Sequence, residues 1–556
     1  MKTALSRIVT GINKIIVVLL LAVSVYSIFS PFFIIFFNRN QELIHYLEIH
    51  HTIRRLLSFI ILIVAWKLYK RVSAAWTIVM LALSGVIFQH LIVHHDKIIN
   101  PWFVMEIISY FVLLLSKNYY CRKMDRYSLK KGMLVYSIYA LFVFLNATIA
   151  LLKDKGMVAL SVCIRQTLDV MLDLDNLNLA VISQNALYHR FIFWFSWICI
   201  FVGLVLVLTP YISIRIQTQE EIERARELVK RFGQNCSSYL ALERDKRLLF
   251  GESVEGVAAY GIVRDIMVVL GDPICDAKDI STFLTEIKNY CEKNAFGLLF
   301  LNTTGMFLKE YERFGIDSIK CGEEPRIVLQ EYSLAGGKAS KVRLNINHAT
   351  NAGLRILEYE PLKERNLALE KQIMEVSQEW FSMKKSSELV FTMGGIGFDN
   401  PMERRYFYAM NSEDLVEGFI VFVPYKGMKG YMTDVTRHRK NAARGVMEKI
   451  LYEAMMSFKE EGIEEVSLAP APLARLEEEP EVTARILNTI YERMNGVYGF
   501  KTLYQTKLKY NPTYWEPVYY VYYPAVFTPA LAYAIIKIQN PLGLKDYIRS
   551  FFHERH

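Results

Sequence analysis

The sequence lacks the cysteine pattern of a metal site or of a disulfide framework. Its seven cysteines, in a chain of 556 residues, form no CxxC pair and lie near no suitably spaced histidine. We therefore predict neither a zinc site nor a set of disulfides, and no other metal site is expected. Free thiols suit a reducing, cytoplasmic setting.

Charged groups are also scarce inside the long apolar segments of the first 217 residues. No such segment carries a chain of acidic or basic residues at its middle, as a proton or ion pump would. Transport driven by an intramembrane ion relay is therefore disfavoured.

The overall composition indicates a membrane part joined to a soluble part. The chain is 53% hydrophobic and 22% charged, with a mean hydropathy of +0.19. Its net charge of +9 suits anionic partners, either lipid headgroups or nucleic acid. The usual Lys/Arg excess of cytoplasmic loops explains the charge equally well.

Six apolar stretches predict a membrane α-helical bundle of about six spans. Basic residues, including Lys70, Arg71 and Arg126, cluster in alternate loops, which the positive-inside rule places in the cytoplasm together with everything after Arg215. The predicted spans are Ile15–Phe37, Leu56–Tyr69, Ala74–Val93, Trp102–Ser116, Met133–Leu152 and Phe191–Ile214.

After a charged helical linker at Gln219–Arg231, strand-like runs alternate with amphipathic helices. "GIVRDIMVVLGDPI" and "FGLLFLNTT" form one series with helices near 281–294 and 306–314, and the series from "RRYFYAMN" to "EEVSLAPAPLA" repeats the theme. This pattern predicts cytoplasmic α+β tandem units, each a mostly antiparallel sheet flanked by helices.

The stretch "GYMTDVTRHRKNAARGVMEKIL" combines a strand end at Asp434, a basic loop and a helix start near Gly445. A helix N-terminus among arginines favours an anion or an oxyanion. GNAT-type acetyltransferases hold the pyrophosphate of coenzyme A on such an element, but with a Q/R-x-x-G-x-G/A loop. "RKNAARGV" has one glycine, so we expect a GNAT-like shape that does not bind coenzyme A. A solvated basic turn is the alternative.

Six segments, in the same order, resemble the synthase domain of the bacterial phosphatidylglycerol lysyltransferase (multiple peptide resistance factor) family. The resemblance covers nearly all of 219–524 and extends more weakly into the preceding six spans. The segments are "GDPI", "GEEPRIVLQEYSLAGGKASKVR", "SQEWFSMKKSSELVFTMG", "YMTDVTRHRKNAARGVMEKIL", "VSLAPAPLA" and "YGFKTLYQTKLKYNPTYWEPVYYVY".

The resemblance implies an aminoacyltransferase with tandem GNAT-like domains. It implies transfer of an amino acid, lysine first and alanine next, from aminoacyl-tRNA to the glycerol hydroxyl of phosphatidylglycerol at the cytoplasmic leaflet. This reaction would alter membrane surface charge and resistance to cationic peptides. It implies no cofactor beyond the co-substrate tRNA, a multi-pass location in the bacterial cytoplasmic membrane, and homo-oligomerisation as an option. The N-terminal flippase module of full-length members is expected to be lacking.

The implied domains are a transmembrane domain at 1–217, a first GNAT-like subdomain at 218–355, a second, catalytic one at 356–524 and a C-terminal amphipathic helix at 525–556. The basic residues of the tail predict that this last helix lies in the membrane interface. Packing on the second GNAT-like unit is the alternative.

The implied catalytic residues are Asp434, Arg437 and Lys507. Asp434 would orient or deprotonate the hydroxyl, or hold the α-amino group of the donor, while Arg437 would hold the lipid phosphate or the oxyanion. One of the two lysines in "KLK" would reach the active site and the other a phosphate. Glu323 and Arg343 are weaker candidates. The predicted substrate-binding residues are Asp399, Arg439, Lys440, Asn441, Arg444, Gly445, Glu448, Lys509 and Trp515.

Three other functions remain open at this point. The first is a membrane-anchored acyltransferase that uses an acyl thioester, and the second is a non-catalytic sensor of lipid or RNA. The third keeps the chemistry but changes the lipid acceptor, for example to diacylglycerol.

Overall fold

The structure is a computed structural model. It describes residues 217–540 except 338, 384–389, 473 and 477–499, and in the N-terminal part it describes 11–26, 67–93, 101–120 and scattered positions within 58–65 and 134–141. The chain divides into an N-terminal unit that ends at Ile214 and a C-terminal unit that begins at Arg215.

The N-terminal unit contains helices at Ser73–Val93 and Pro101–Leu115, which coincide with two of the predicted spans. The predicted span 191–214 lies outside the described residues, and only isolated positions of 133–152 are described. Within the described part of the chain, no helix has both the length and the apolar character needed to cross a membrane.

The C-terminal unit is an α+β structure, as the alternating pattern predicts. Its helices are α1 Gln219–Phe232, α2 Ile280–Asn294, α3 Leu308–Arg313, α4 Ser340–Asn351, α5 Leu367–Ser382, α6 Val446–Glu460, α7 Phe500–Leu508 and α8 Pro529–Gln539. Its strands are β1 Arg247–Phe250, β2 Gly256–Val263, β3 Ile266–Leu270, β4 Ile274–Cys275, β5 Gly297–Thr303, β6 Asp317–Val328, β7 Arg355–Tyr359, β8 Arg405–Met410, β9 Val416–Tyr425, β10 Gly430–His438, β11 Glu465–Ser467, β12 Ala471–Pro472 and β13 Tyr514–Tyr523.

The strands form one continuous sheet, in the order β1-β2-β3-β5-β13-β6-β11-β10-β9-β8-β7, with β4 on β2 and β12 on β6. The prediction of two separate sheets is therefore wrong. Two pairs of strands, β3 with β5 and β10 with β11, are parallel, and every other described pair is antiparallel. Each parallel pair is joined by a helix, α2 or α6, so the sheet contains the same strand–helix–strand unit twice.

The last strand, β13, lies between β5 and β6. Its residues belong to the predicted second subdomain, whereas both of its neighbours belong to the first. A strand from the second half, β13, thus lies within the first half. In turn, β6 of the first half pairs with β11 of the second half. No local pattern in the sequence specifies such a long-range pairing.

Helices at the two ends of the C-terminal unit are packed elements of its core. In α1, the predicted linker, Ala225, Leu228 and Val229 are buried. In α8, Leu531, Ala534 and Ile535 enter the same core, and α8 contacts β2 and β3. The described part of the tail therefore packs on strands of the first half and also contacts the second half, where the backbone N–H of Val390 donates to the carbonyl of Gln539 at 2.8 Å. Residues 541–556 lie outside the described residues, so the place of this helix in the membrane interface stays a prediction.

Candidate functional site

Asp434 lies at an irregular point of β10. Along the pair of β10 with β9, Thr433 is opposite Phe422 and Val435 is opposite Val421, so Asp434 is an extra residue with no partner across the sheet. An extra residue of this kind forms a β-bulge, which redirects a side chain and is frequent beside active sites. The strand that the sequence predicts therefore has its regular alternation interrupted at the candidate catalytic residue.

The bulge changes which face of the sheet the following side chains occupy. Met432 and Arg437 are opposite Val423 and Phe419, which lie on the same face of β9 because their positions differ by four residues. Asp434 also points to that face, where Gly394 contacts it. In a regular strand, Asp434 and Arg437 would point to opposite faces; the bulge places both on one.

The carboxylate of Asp434 is buried and only half satisfied. Its Oδ1 accepts a hydrogen bond from the backbone N–H of Gly394 at 2.9 Å, while Oδ2 has no hydrogen-bond partner. Burial raises the pKa of Asp434 to about 6, the hydrogen bond from Gly394 opposes this rise, and the nearby Glu243 carboxylate adds to it. At neutral pH the group is therefore mostly ionised and close to its pKa, as a general base requires.

Glu243 approaches Asp434 from the first half of the unit. A Cβ at Gly394 would lie 2.3 Å from Asp434 Oδ2 and 2.8 Å from Glu243 Oε1, so the two oxygens are at most about 5 Å apart. Glu243 also pairs with the buried Arg404 at 2.5 Å. Only glycine fits at position 394, since any side chain would fill the space between the two carboxylates.

Arg437 is held by helix α5 rather than by Asp434. Its guanidinium donates a hydrogen bond to the hydroxyl of Ser377 and lies over the ring of Phe381, with 4.3 Å between the guanidinium carbon and the ring centroid. Trp380 is at 5.6 Å. The described contacts thus fix Arg437 on the same sheet face as Asp434 by packing and stacking.

Lys507 is buried beside the chain that follows β11, the parallel partner of β10. Its Nζ donates to the carbonyl oxygens of Ala469 and Pro470, at 2.8 Å each. Burial lowers the pKa of Lys507 to about 7, although the nearby Glu324 favours the charged form. The last pair between β10 and β11 joins Met432 to Ser467, so Asp434 and Ala469 each lie two residues beyond it. Lys507 and Asp434 therefore belong to the two sides of the gap where these strands part.

The N-terminus of α6 is covered by groups of the protein itself. Gly445, with a φ of +88°, lies against the main chain of α4, and a Cβ there would be 1.9 Å from the carbonyl oxygen of Asn345. Glu448 in the first turn accepts hydrogen bonds from Lys509 at 2.7 Å and from Asn345 at 2.9 Å. Burial alone would raise the pKa of Glu448, but Lys509 and Asn345 outweigh it and lower that pKa. The site predicted for an anion therefore holds a carboxylate of the chain.

The basic loop before α6 is tied to α5. Arg439 pairs with Glu379 at 3.1 Å, and the backbone N–H of Lys440 donates to the same carboxylate at 2.8 Å. Arg444 donates to the side chain of Asn345 at 3.1 Å, and Asn441 is exposed. Arg439 therefore points to α5, and the substrate-binding role of these residues stays a prediction.

Four further candidates make no described contact with the carboxylate of Asp434. Asp399 is exposed in a turn. Trp515 is half-buried on β13, with its ring 5.1 Å from that of Tyr504 and beneath the guanidinium of Arg475. Glu323 pairs with Lys320 at 2.9 Å, and Arg343 donates to the carbonyl of Gly336 at 2.8 Å. These contacts connect elements of the fold.

The first half of the sheet carries an equivalent of Asp434. The parallel pair of β3 with β5 ends at Leu270 and Leu301, and Asp272 lies two residues beyond it, as Asp434 lies two residues beyond Met432. Asp272 belongs to the "GDPI" segment. The repetition of the strand–helix–strand unit thus places one buried carboxylate at the same point of each half.

The two carboxylates differ in how fully they are hydrogen-bonded. Asp272 accepts from the side chain of Asn235, the backbone and hydroxyl of Thr304, each at 2.9 Å, and the hydroxyl of Tyr311 at 3.4 Å. A cavity of about 390 Å³ opens beside it. Both carboxylate oxygens of Asp272 nevertheless accept hydrogen bonds from the protein, whereas Oδ2 of Asp434 has no hydrogen-bond partner in the described structure. A carboxylate available for chemistry is therefore found in the second half.

A largely buried network of ion pairs joins the two halves of the C-terminal unit. The sequence analysis did not predict it. Arg326 of β6 pairs with Glu324 at 2.8 Å, with Glu465 of β11 at 2.9 Å and with Glu516 of β13 at 2.9 Å. The carboxylates hold the pKa of Arg326 above its usual range against the effect of burial. Alternating charged residues on β6 were the available signal, but two of the three partners of Arg326, Glu465 and Glu516, lie more than a hundred residues away in the sequence.

This arrangement defines a class of protein: an α+β fold with the same strand–helix–strand unit in each half, whose second half presents a half-satisfied carboxylate where two parallel strands part. The sequence profile of the family described as phosphatidylglycerol lysyltransferase, C-terminal, matches residues 226–522, which is more than half of the chain. The chain belongs to this family of transferases.

Named relatives agree with that assignment. Phosphatidylglycerol lysyltransferase of Staphylococcus haemolyticus is 24% identical over 368 residues, covering 66% of this chain and 43% of the relative. The protein of the same name from Staphylococcus aureus strain COL is 25% identical over 350 residues, covering 62% and 41%. The chain thus spans less than half the length of these curated relatives.

The solved structure of L-PGS from Bacillus licheniformis is similar in fold. It has a TM-score of 0.52 and 21% sequence identity, and the match covers 58% of this chain and 97% of that structure. The similarity confirms the predicted fold of the C-terminal unit. At this level of identity it shows the fold alone.

Proposed function

We propose that this protein transfers an aminoacyl group from an aminoacyl-tRNA to a glycerol hydroxyl of phosphatidylglycerol, with lysine as the first candidate amino acid and alanine as the second. The observation that supports this proposal is the bare, buried carboxylate oxygen of Asp434 in a member of the lysyltransferase family. Asp434 is close to its pKa at neutral pH, which suits proton transfer from a hydroxyl.

The proposed reaction is a transesterification. The lipid hydroxyl attacks the carbonyl carbon of the donor ester, and its proton passes to Asp434 Oδ2. The new carbon–oxygen bond forms, the bond to the ribose oxygen of the tRNA breaks, and Asp434 returns the proton to that oxygen. No net charge or redox change occurs, so the chain has only to orient two oxygens and a proton.

We propose that Lys507 holds in place the chain that follows β11, on the side opposite Asp434 where β10 and β11 part. Its two hydrogen bonds to Ala469 and Pro470 fix the chain beyond β11, opposite the bulge. A lysine whose pKa is near 7 exchanges protons readily at the pH of the cytoplasm. Arg437 is proposed to hold the lipid phosphate or the oxyanion.

An acyl thioester of coenzyme A is a poor alternative donor. The first turn of α6, where a GNAT-type acetyltransferase would hold the pyrophosphate, packs against Asn345 and contains the Glu448 carboxylate. A phosphate at this place would meet main-chain atoms and a like charge. Calorimetric titration with coenzyme A should therefore give no heat of binding, and micromolar binding would favour the acyltransferase alternative.

A location at the cytoplasmic membrane is part of the same proposal, because the acceptor is a membrane lipid and the net charge of +9 suits an anionic leaflet. The test is mass spectrometry of lipids from a heterologous host that expresses the full chain. We expect an aminoacylated phosphatidylglycerol, absent when Asp434→Asn is expressed at the same level. A lipid profile identical to that of the empty host, together with no transfer from any purified aminoacyl-tRNA, would contradict the proposal.

A further inference from the structure

Ala469 has a strained backbone conformation beside the gap where β10 and β11 part. Its φ is +63°, in the left-handed region that a residue with a side chain seldom adopts. Strain of this kind persists only where the surrounding contacts hold it, and it is concentrated at functional sites. The contacts that hold Ala469 therefore identify residues that shape this side of the gap.

The backbone of Ala469 is bound on both sides. Its N–H donates a hydrogen bond to the hydroxyl of Ser467 at 3.0 Å, and its carbonyl oxygen accepts one from Lys507 Nζ at 2.8 Å. The carbonyl oxygen of Pro470 accepts a second hydrogen bond from the same Nζ at 2.8 Å. The ammonium group of Lys507 is thus held by two carbonyl groups whose direction depends on the conformation of Ala469.

The hydroxyl of Ser467 is in turn bound by Glu324 of β6. Ser467 Oγ donates to Glu324 Oε1, which also pairs with Nε of Arg326 at 2.8 Å, and the thiol of Cys236 donates to Oε2 at 3.2 Å. Both Glu324 and Ser467 are almost fully buried. A carboxylate of the first half therefore anchors, through one hydroxyl group, the loop of the second half that holds Lys507.

Glu324 also supplies negative charge to the buried lysine. Burial lowers the pKa of Lys507 to about 7, and the Glu324 carboxylate opposes this change by favouring the ammonium form. The thiol of Cys236 stays neutral, because burial raises its own pKa well above the usual range. Arg326 is the cation beside them, and it pairs with Glu324. Glu324 is therefore the anion that favours a charged Lys507.

We infer that Glu324 and Ser467 are positioning residues for Lys507. They fix the loop at 468–470, so that two carbonyl groups hold the ammonium at one place on the side of the gap opposite Asp434. The inference rests on the proposed function, in which Lys507 and this loop form one side of the reaction site. It adds two residues, from β6 and β11, that act on the transfer through Lys507 and not by touching a substrate.

The first test is NMR of the purified full chain with [ε-13C]lysine, in which the Lys507 signal is identified by its loss in Lys507→Arg. The wild-type signal should titrate near pH 7. Glu324→Gln should lower this midpoint by about one pH unit or more, because the anion that favours the ammonium is removed. Glu370→Gln is the matched control. It changes a buried carboxylate that accepts from the hydroxyl of Tyr359 at 2.8 Å, and it should leave the midpoint unchanged.

The second test removes the link between Glu324 and the loop. In Ser467→Ala the Lys507 signal should become narrower, because the freed side chain moves faster. The kcat for transfer from lysyl-tRNA to phosphatidylglycerol should fall about tenfold or more, while the KM for the lipid changes less than about twofold. Ser457→Ala is the matched control. It removes a hydroxyl that donates to Glu461 on α6 at 3.1 Å, and it should change neither quantity.

Two substitutions of Ala469 decide the question if a buried variant fails to fold. Glycine adopts the left-handed conformation freely, whereas β-branched valine opposes it. We expect the wild-type signal and rate in Ala469→Gly. Ala469→Val should narrow the Lys507 signal and lower kcat about tenfold. A Lys507 signal whose midpoint is insensitive to Glu324, or whose width is insensitive to both Ser467→Ala and Ala469→Val, overturns the inference.

NMR and lipid analysis together separate the two proposals. Aminoacyl-lipid formation by the wild type, with a Lys507 signal that is insensitive to Glu324 and Ser467, overturns only the positioning role. A Lys507 signal that depends on both residues, in a chain that transfers no aminoacyl group to lipid from any aminoacyl-tRNA, supports the positioning role and overturns the proposed function.

Discussion

The main chain of Asn345 in α4 lies directly against Gly445 at the start of α6. A Cβ at position 445 would be 1.9 Å from the carbonyl oxygen and 2.4 Å from the carbonyl carbon of Asn345. The missing side chain of Gly445 therefore allows α4 and α6 to contact each other. A glycine also suits the positive φ of +88° at this position. The contact closes the helix terminus that the basic loop had indicated as an anion site.

Gly445→Ala should destabilise the C-terminal unit by about 3 kcal/mol or more, because two backbones must move apart and a left-handed conformation is imposed on alanine. Gly462→Ala is the matched control at the other end of α6. It also has a positive φ, of +80°, but nothing lies within 4 Å of its Cβ position. Thermal unfolding should show a loss of about 1 kcal/mol for the control. Equal losses would mean that the contact with Asn345 is unimportant.

The transfer rate should follow the ionisation of Asp434. Since the base must be deprotonated and its pKa is raised to about 6, the rate should fall about tenfold for each pH unit below 6 and level off above it. Asp434→Asn should lower the rate by about 2–4 orders of magnitude and remove this dependence. A rate profile with no inflection near pH 6 in the wild type would exclude Asp434 as the base.

The raised pKa of Asp434 also predicts how the stability of the protein depends on pH. A carboxyl group whose folded pKa lies above its unfolded value binds a proton in the folded state that the unfolded state releases. The free energy of unfolding should therefore decrease as pH rises from about 4 to about 6, by at most about 3 kcal/mol from this group. Asp434→Asn lacks this contribution, so the difference in unfolding free energy between the two proteins should change with pH only within that window. Urea unfolding at pH 4, 5, 6 and 7 measures it.

Arg437→Ala and Arg437→Lys should separate charge from stacking. Lysine keeps the positive charge but loses the planar contact with Phe381 and the fixed geometry toward Ser377. If Arg437 acts through a fixed guanidinium, both variants should lower transfer by about 2–4 orders of magnitude in the same lipid assay. Activity near that of the wild type in Arg437→Lys would show that charge alone is required.

Arg326→Met should destabilise the C-terminal unit strongly. It removes the cation that three carboxylates share, of which Glu324 and Glu465 are buried, and leaves Glu465 with only the longer pair to Lys426 at 3.7 Å. Loss of one partner from a buried network of this kind costs about 3–5 kcal/mol. Lys278→Met, which breaks an exposed pair with Asp276, is the control and should change stability by less than about 1 kcal/mol. A small effect of Arg326→Met on thermal unfolding would show that the two halves do not depend on this network.

The sequence by itself determined the local elements and the family. The helix start predicted near Gly445 agrees with α6, which begins at Val446, because its side chains alternate between core and solvent with the period of a helix. The strand end predicted at Asp434 is wrong, since β10 continues to His438. The short motifs pointed to Asp434 and Arg437, and their catalytic roles stay a prediction. The predicted family of transferases is confirmed by the family match, and the α+β fold of the C-terminal unit is shared with the solved L-PGS structure.

Only the tertiary structure decided how these elements are used. The bulge at Asp434 is visible only in the pairing with β9, and it reverses the side on which Arg437 would otherwise lie. The insertion of β13 between β5 and β6 joins distant parts of the chain, and so does the hydrogen bond from the backbone N–H of Gly395 to Glu243, 152 residues away. Local periodicity carries no information about such pairings, because they depend on backbone hydrogen bonds and packing between segments that the sequence pattern treats as independent.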